Sequence, residues 1–227
     1  MTRSVAFSCL LICLSPLACG SPTEPSIQLL ANIVDPNDVN AVSAFNSCQG
    51  HPYPQPDARN SAKNYFWPNS TNFSSTTLLK EFAACDGIVD QSTQDKGADQ
   101  IDRGRTVHLY CDGSSTRLKY FHVTFVPSIL GQHVKAGTLI GYAATLGNGQ
   151  TPSRSWMYSS NFDIAVSEGS DDNTVDYFAK LSGPALAAWS ARGLSAATPT
   201  TRPGNVTCSS YNALFTAPDV ILFSPAR

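Results

Sequence analysis

Charge is scarce in this chain. Of 227 residues only 14% are Asp, Glu, Lys or Arg, and 15 basic against 17 acidic side chains leave a net charge of −2. The Lys and Arg residues are scattered, so there is no basic stripe of the kind that follows a nucleic-acid backbone, and nucleic-acid binding is excluded as an expectation. Long apolar runs are also missing. The stretch Val5–Leu14 is too short to span a bilayer, and no later stretch does better. Histidine is limited to four residues, His51, His108, His122 and His133, too dispersed for the paired spacing of a typical zinc site. There are seven cysteines but no C-x-x-C, which argues against a closed thiolate metal site. No G-x-S-x-G elbow is present to hold a serine nucleophile.

The apolar share, 42%, is enough for one packed domain. Residues 1–19 have the pattern of a secretory leader: Arg3, the apolar run, then Ser15-Pro16-Leu17-Ala18-Cys19-Gly20. Ala18 before Cys19 makes Cys19 a candidate lipidation site, and ordinary cleavage after Gly20 is the alternative. A Pro/Ser-rich tether, 20–27, follows in either case. Cys9, Cys13 and Cys19 fall in the leader, so Cys48, Cys85, Cys111 and Cys208 remain, and four cysteines of an exported domain allow three pairings.

The stretch around which the chain is organised runs from Phe82 to Val166 as short strand-like segments broken at Gly, Asp-Gly or Gly-Gln. In Leu118–Val126 the alternation predicts a packed face with Phe121, Val123 and Phe125 and an open face with Tyr120, His122 and Thr124. By the same rule His108 lies on an open face, and His133 sits in a solvated turn. Gly131 and Gly137 punctuate a turn that needs positive φ, feeding the run to Gly141. Phe82–Val89 and Thr106–Cys111 are predicted as paired strands joined by a polar loop, Asp90–Arg105. Ile27–Phe45 reads as an apolar segment, a turn at Asp35-Pro36-Asn37, and one or two helical turns from Asp38. Residues 46–77 are polar and turn-rich, with prolines between 52 and 56 that forbid helix or central strand there. Asp176–Arg192 predicts two helical stretches broken at Gly183-Pro184 and closed by Gly193, with Leu186 and Trp189 packed on the sheet. Val220–Phe223 is a candidate edge strand.

Four features recur in order: Ala84-Cys-Asp-Gly-Ile-Val89; Asp112-Gly113 ahead of Tyr120-Phe-His122; Gly131-Gln-His-Val-Lys-Ala-Gly-Thr-Leu-Ile-Gly141; and a strand containing Phe162-Asp163. Over roughly residues 48–178 this order resembles the catalytic core of lysostaphin-type peptidoglycan endopeptidases. The resemblance implies a mainly β fold, an antiparallel sheet crossed by a groove with a zinc ion at its floor. It implies a β core over 28–180 and a helical, disulfide-tied tail over 181–227. It also implies that Cys85 and Cys111 pair across neighbouring strands, which leaves Cys48 with Cys208.

The same resemblance puts zinc in doubt. The family's H-x-x-x-D motif, aligned on Pro68, falls on Asn60 and Asn64; counted back from Asp86-Gly87 it falls on Pro68 and Asn72. Its H-x-H-F-E-V strand falls on Ser159, Asn161 and Asp163. Only His122, in Y-x-H, keeps a catalytic-histidine position. A neutral amide is a poor ligand for Zn²⁺, and without the metal there is no Lewis acid to polarise a peptide carbonyl or activate water.

The resulting expectation is an exported, catalytically inactive domain with no metal. Its groove, formed by Asn60, Asn64, Tyr120, His122, Ser159, Asn161 and Asp163, would hold a cell-wall peptide or glycan, or a cell-wall hydrolase. Membrane attachment would come only through a lipid on Cys19. Two alternatives stand beside it: an active zinc peptidase drawing ligands from His51, His108 or His122, and a structural surface domain whose groove is plugged by residues 68–77. A carboxylate-pair hydrolase would draw on Asp112, Asp163, Glu168, Asp171 or Asp172.

Overall fold

Asp35 starts the first ordered turn. Its carboxylate accepts the Asn37 N–H at 2.9 Å and caps a single 3₁₀ turn, Pro36–Asp38. The chain then extends as β1 (Val39–Ser43), where the sequence pattern predicted helix. The cause is tertiary. β-branched Val39 and Val42 pack into the large core and Ala41 against Tyr65 and Trp67, in a fully buried strand that pairs with two neighbours.

In this computed structural model the described residues are 26–55, 58–69, 78–96, 102–143, 162–194, 198, 200–202, 206–211 and 217–223. The leader, with Cys19, lies outside them, as do Ser159 and Asn161. After β1 come β2 (Asn64–Pro68), β3 (Lys80–Phe82), β4 (Gly87–Lys96), β5 (Asp102–Cys111) and β6 (Thr116–Phe125). Next are β7 (His133–Val134), β8 (Leu139–Ala143), β9 (Phe162–Glu168) and β10 (Thr174–Val175). Two helices, α1 (Tyr177–Lys180) and α2 (Gly183–Ala191), precede β11 (Val220–Leu222).

The strands form a mainly antiparallel sheet in the order β11-β1-β2-β9-β6-β5-β4-β7. β10 flanks β9, and β8 joins β6 to β3. β2 was hidden in the polar stretch 46–77, although all five of its residues are buried. The predicted polar loop between β4 and β5 is mostly ladder, with pairing carried outward through Thr93↔Thr106 to Lys96↔Asp102. Backbone hydrogen bonds extend such a hairpin without apolar alternation, so periodicity could not report it.

One face of the sheet is closed by aromatic packing. Phe66 stacks on Phe162 at 4.9 Å, with Tyr177, Phe178 and Trp189 around it. Trp189, fully buried, donates its indole N–H to Asn32 Oδ1 at 2.8 Å and packs 5.5 Å from Phe223. The segment expected as a tail therefore supplies part of the single large core, and β11 completes the sheet edge on β1. The two helices break where predicted, at Ser182 before Gly183-Pro184, and Gly193 follows with φ +102°.

Both disulfides match the family-implied pairing. Cys85–Cys111 joins the start of β4 to the end of β5, and Cys48–Cys208 closes a sequence separation of 160 residues. Gly131 and Gly137 have the expected positive φ. Gly141 has another reason to be glycine: a Cβ there would lie 2.7 Å from both the Thr124 carbonyl and the Phe125 Cα on β6. Any side chain would push β8 away from β6.

A β-bulge in β6 overturns the predicted alternation. Val107 faces Tyr120 and Arg105 faces Val123, so three steps on β6 oppose two on β5, and His122 takes φ +62°. Before the bulge Leu118 and Tyr120 point into the core; after it, Val123 does. Tyr120 is thus no groove residue. Its side chain is fully buried, and its hydroxyl donates to the Phe82 carbonyl at 3.0 Å and accepts the Ala84 N–H at 3.2 Å.

Candidate functional site

The opposite face of the sheet carries the polar cluster, and the register dictates its grid. Phe121 on β6 is opposite Asp163 on β9, which is opposite Tyr65 on β2. Two steps along β6, Lys119 lies between His108 of β5 and Ala165 of β9; two further, Arg117 lies between Tyr110 and Ser167. The bulge places His122 beside Phe121, so that both reach the Asp163 row.

Asp163 is the centre of this row, 1% exposed. Lys63, entering just ahead of β2 and 2% exposed, donates from Nζ to Asp163 Oδ2 at 2.6 Å. The same ammonium lies 3.6 Å from the centre of the Phe121 ring and 4.6 Å from that of Tyr53. Desolvated cation–π contacts of this kind are each worth about 2 kcal/mol. Tyr53 meets Phe121 edge-on at 5.8 Å. His51 closes the shell. Its Nδ1 lies 2.9 Å from the Pro52 carbonyl, which can only accept, so Nδ1 carries the proton. Nε2 is then free to accept from Lys63 at 3.4 Å. On the other side His122 Nε2 lies 3.3 Å from Asp163 Oδ1.

The electrostatics follow from this geometry. Burial alone would raise the Asp163 carboxyl, but the Lys63 ammonium and then the nearby His122 outweigh it, and its pKa is lowered. Asp163 is held as a carboxylate. Burial, then the Asp163 charge, pushes the Tyr53 phenol up to about 12. Glu81 on β3 shows the reverse case. It is fully buried, neither oxygen has a hydrogen-bond partner among the described residues, and burial followed by Asp163 raises its pKa well above the usual range. Burial thus biases the Glu81 carboxyl towards its neutral form.

Of the residues singled out in the sequence, the fold brings His122 and Asp163 together. Asn64 is diverted into structure: it is buried, its amide N–H donates to the Ser43 carbonyl at 3.2 Å, and its oxygen accepts the Tyr177 N–H at 3.1 Å. Asn60 turns towards the C-terminal segment, donating to the Val206 carbonyl at 3.2 Å. Neither contributes to the Asp163 row. His108 is not a surface residue. Half-buried beside Lys119 and Arg117, it is pushed down to about 4, by burial first and then by those two cations. His133, expected in a turn, is exposed on β7 and lies 2.6 Å from the Asp112 carboxylate.

Lys63 was missed because the family alignment drew attention to the asparagines on either side of it. A usable signal existed. Lys63 is the single charge in Ala62-Lys-Asn-Tyr-Phe-Trp-Pro68, and Asp163 the single charge in Asn161-Phe-Asp-Ile-Ala-Val166. Lone opposite charges in two apolar strands predict each other as partners, because neither survives burial alone.

The donor set does not fit the zinc ion that the family resemblance implies. Among the described residues no three His, Cys, Asp or Glu side chains converge to hold a metal. More decisively, the one central carboxylate is already held by an ammonium, and a divalent cation beside Asp163 would face the Lys63 charge at close range.

A separate cavity of about 410 Å³, lined by Ile27, Gln28, Leu30, Cys85, Asp86 and Asp112, borders the Cys85–Cys111 disulfide. Asp86 and Asp112 on its wall are engaged by Lys135 at 2.7 Å and His133 at 2.6 Å. No helix among the described residues is long and apolar enough to cross a membrane.

No family model matches the chain, and no curated protein matches it. Among solved structures it is similar to lysostaphin in solution, with 18% identity, a TM-score of 0.43, and coverage of 81% of this chain and 62% of that one. It is similar also to the catalytic domain of lysostaphin from Staphylococcus simulans, with 16% identity, TM-score 0.40, and coverage of 62% of this chain and 90% of that one. A third is the M23 metalloprotease pseudoalterin, from the deep sea, with 15% identity, TM-score 0.38, and coverage of 68% and 75%. The chain thus spans 62% of the full lysostaphin chain it matches.

Proposed function

We propose that this protein is a non-hydrolytic relative of the lysostaphin-type endopeptidases, exported to the cell envelope, which binds cell-wall peptide or glycan on the open face of its sheet. Three observations support the reading. The ordered motifs between Ala84 and Asp163 resemble those of the family, and the fold is mainly antiparallel β. Two disulfides fit an oxidising compartment. The third carries the functional conclusion: at the centre of the face, beside His122, the buried carboxylate of Asp163 is already held by the Lys63 ammonium at 2.6 Å.

An internal ammonium cannot replace zinc in hydrolysis. It has no coordination site for water, and here its charge is satisfied by Asp163 and two aromatic rings. What remains on the face is a row of hydrogen-bonding and aromatic groups, the composition of a binding groove.

The test is incubation of the oxidised protein with purified peptidoglycan sacculi, followed by pelleting, analysis of released fragments and elemental analysis after dialysis. Co-sedimentation without fragment release and without stoichiometric zinc is expected. Near-stoichiometric zinc with chelator-sensitive release of peptide would overturn the reading.

A further inference from the structure

Two rows from Asp163, on the same face, the arrangement of charges differs and points to a ligand. Arg117 and Lys119 stand at i and i+2 on β6, 18% and 14% exposed. Both pair with one carboxylate, Asp171, which is 51% exposed on the turn between β9 and β10; its Oδ2 lies 3.0 Å from Lys119 Nζ. Asp172, next to it, accepts from Gln55 Nε2 at 2.6 Å, so the turn is also tied to the segment carrying Tyr53. Arg117 lies against the Tyr110 ring at 5.5 Å.

Among the described residues Arg117 Nε and, one strand over, His108 Nδ1 are buried here without a hydrogen bond. Buried donors and acceptors are satisfied in the great majority of cases, and unsatisfied ones gathered at one place call for a partner. His108 remains a neutral imidazole at physiological pH, with Lys119 and Arg117 on one side and Asp90 of β4 acting weakly from the other. Two cations sharing a single half-exposed carboxylate, next to unmet hydrogen-bonding atoms, form a place to read an oxyanion.

We propose that Arg117, Lys119 and His108 form a carboxylate-reading subsite of the groove, and that Asp171 is its tethered occupant, displaced when a peptide carboxylate binds. A peptide is the source that the face favours. An extended chain along β6 presents alternate groups at the same two-residue period as Arg117, Lys119 and Phe121, with Tyr110 and Phe121 as apolar neighbours. The subsite deepens the binding-groove reading and rests on it.

The experiment is an NMR titration following the Arg117 side-chain Nε–H signal of the full oxidised protein. The probes are acetyl-tetraalanine with a free carboxylate, its C-terminal amide, and glucuronate. The wild type is expected to bind the free acid weakly and the amide less well. Asp171→Asn removes the internal competitor and should tighten free-acid binding about two- to fivefold, the range an exposed ion pair of up to about 1 kcal/mol allows. Arg117→Gln should abolish the preference for acid over amide.

If Asp171→Asn leaves free-acid binding unchanged or absent, Asp171 is a structural ion-pair partner and the subsite is overturned. Equal binding of acid and amide overturns it as well, and glucuronate binding as strong as the peptide acid overturns the peptide assignment. None of these results bears on sacculus binding, which tests the groove reading separately.

Discussion

Two cation–carboxylate contacts share one sheet face, about 13 Å apart by strand rise from position 117 to position 121, and they differ in almost everything else. Lys63–Asp163 is buried, with exposures of 2% and 1%, roofed by aromatic rings and completed by two histidines. The pair made by Arg117 and Lys119 with Asp171 is half-open, on a turn. Identical charge chemistry therefore has two uses. Where water is excluded, each partner depends on the other and the contact is fixed; where water competes, the contact can be exchanged for another anion.

The largest test of this contrast removes one partner of the buried pair. Lys63→Met should cost about 3–5 kcal/mol in urea unfolding, because it strands a buried carboxylate. The double variant Lys63→Met/Asp163→Leu should recover most of that loss. Equal losses in the single and double variants would mean that the pair contributes packing and not charge compensation.

Glu81 sharpens the comparison as a buried carboxyl with no hydrogen-bond partner among the described residues. Its pKa is raised in the fold, so its contribution is fully present below the unfolded value near 4.3 and is lost as pH rises towards the folded value. Glu81→Met should therefore gain about 1–3 kcal/mol at pH 8, and less at pH 4. Unfolding curves at the two pH values check it.

Asp163 has the opposite sign. Its folded pKa is lowered, so its stabilisation is present above the unfolded carboxyl value and is lost as pH falls through the folded value. Asp163→Asn should flatten the acid limb of stability against pH by up to about 1.4 kcal/mol per pH unit. The smallest effect belongs to the open pair: Asp171→Asn should change stability by less than about 1 kcal/mol, and the difference should vanish in 1 M salt. A loss comparable to that of Lys63→Met would erase the distinction between the two sites.

Much of the fold was legible. The broken strand-like runs, the two-part helix at Gly183-Pro184 and the turn glycines 131 and 137 are local signals, and each is found where local chemistry placed it. β1 and β2 were not legible. One sits in a stretch with the spacing of a helix, the other in a stretch of polar and turn residues, and both become strands through pairing with residues far away in the chain. The site was half legible. Motif position pointed to His122 and Asp163, whose side chains the fold brings within 3.3 Å; Tyr120 was misassigned because a one-residue bulge exchanges the two faces of a strand, and alternation has no means of registering an inserted step.

By itself the sequence determined the β class, the breaks between strands, the cysteines available for pairing and the scarcity and dispersion of histidine. These follow from residue type and local spacing, which are properties of the chain before it folds. Only the tertiary structure decided that Lys63, 100 residues before Asp163, would reach its carboxylate, that Asn64 would be spent on holding Ser43 and Tyr177, and that the C-terminal segment would seal the core. The reason is that burial sets the strength of a charge contact and decides which polar groups must find partners. Burial is settled by how strands far apart in the chain pack together.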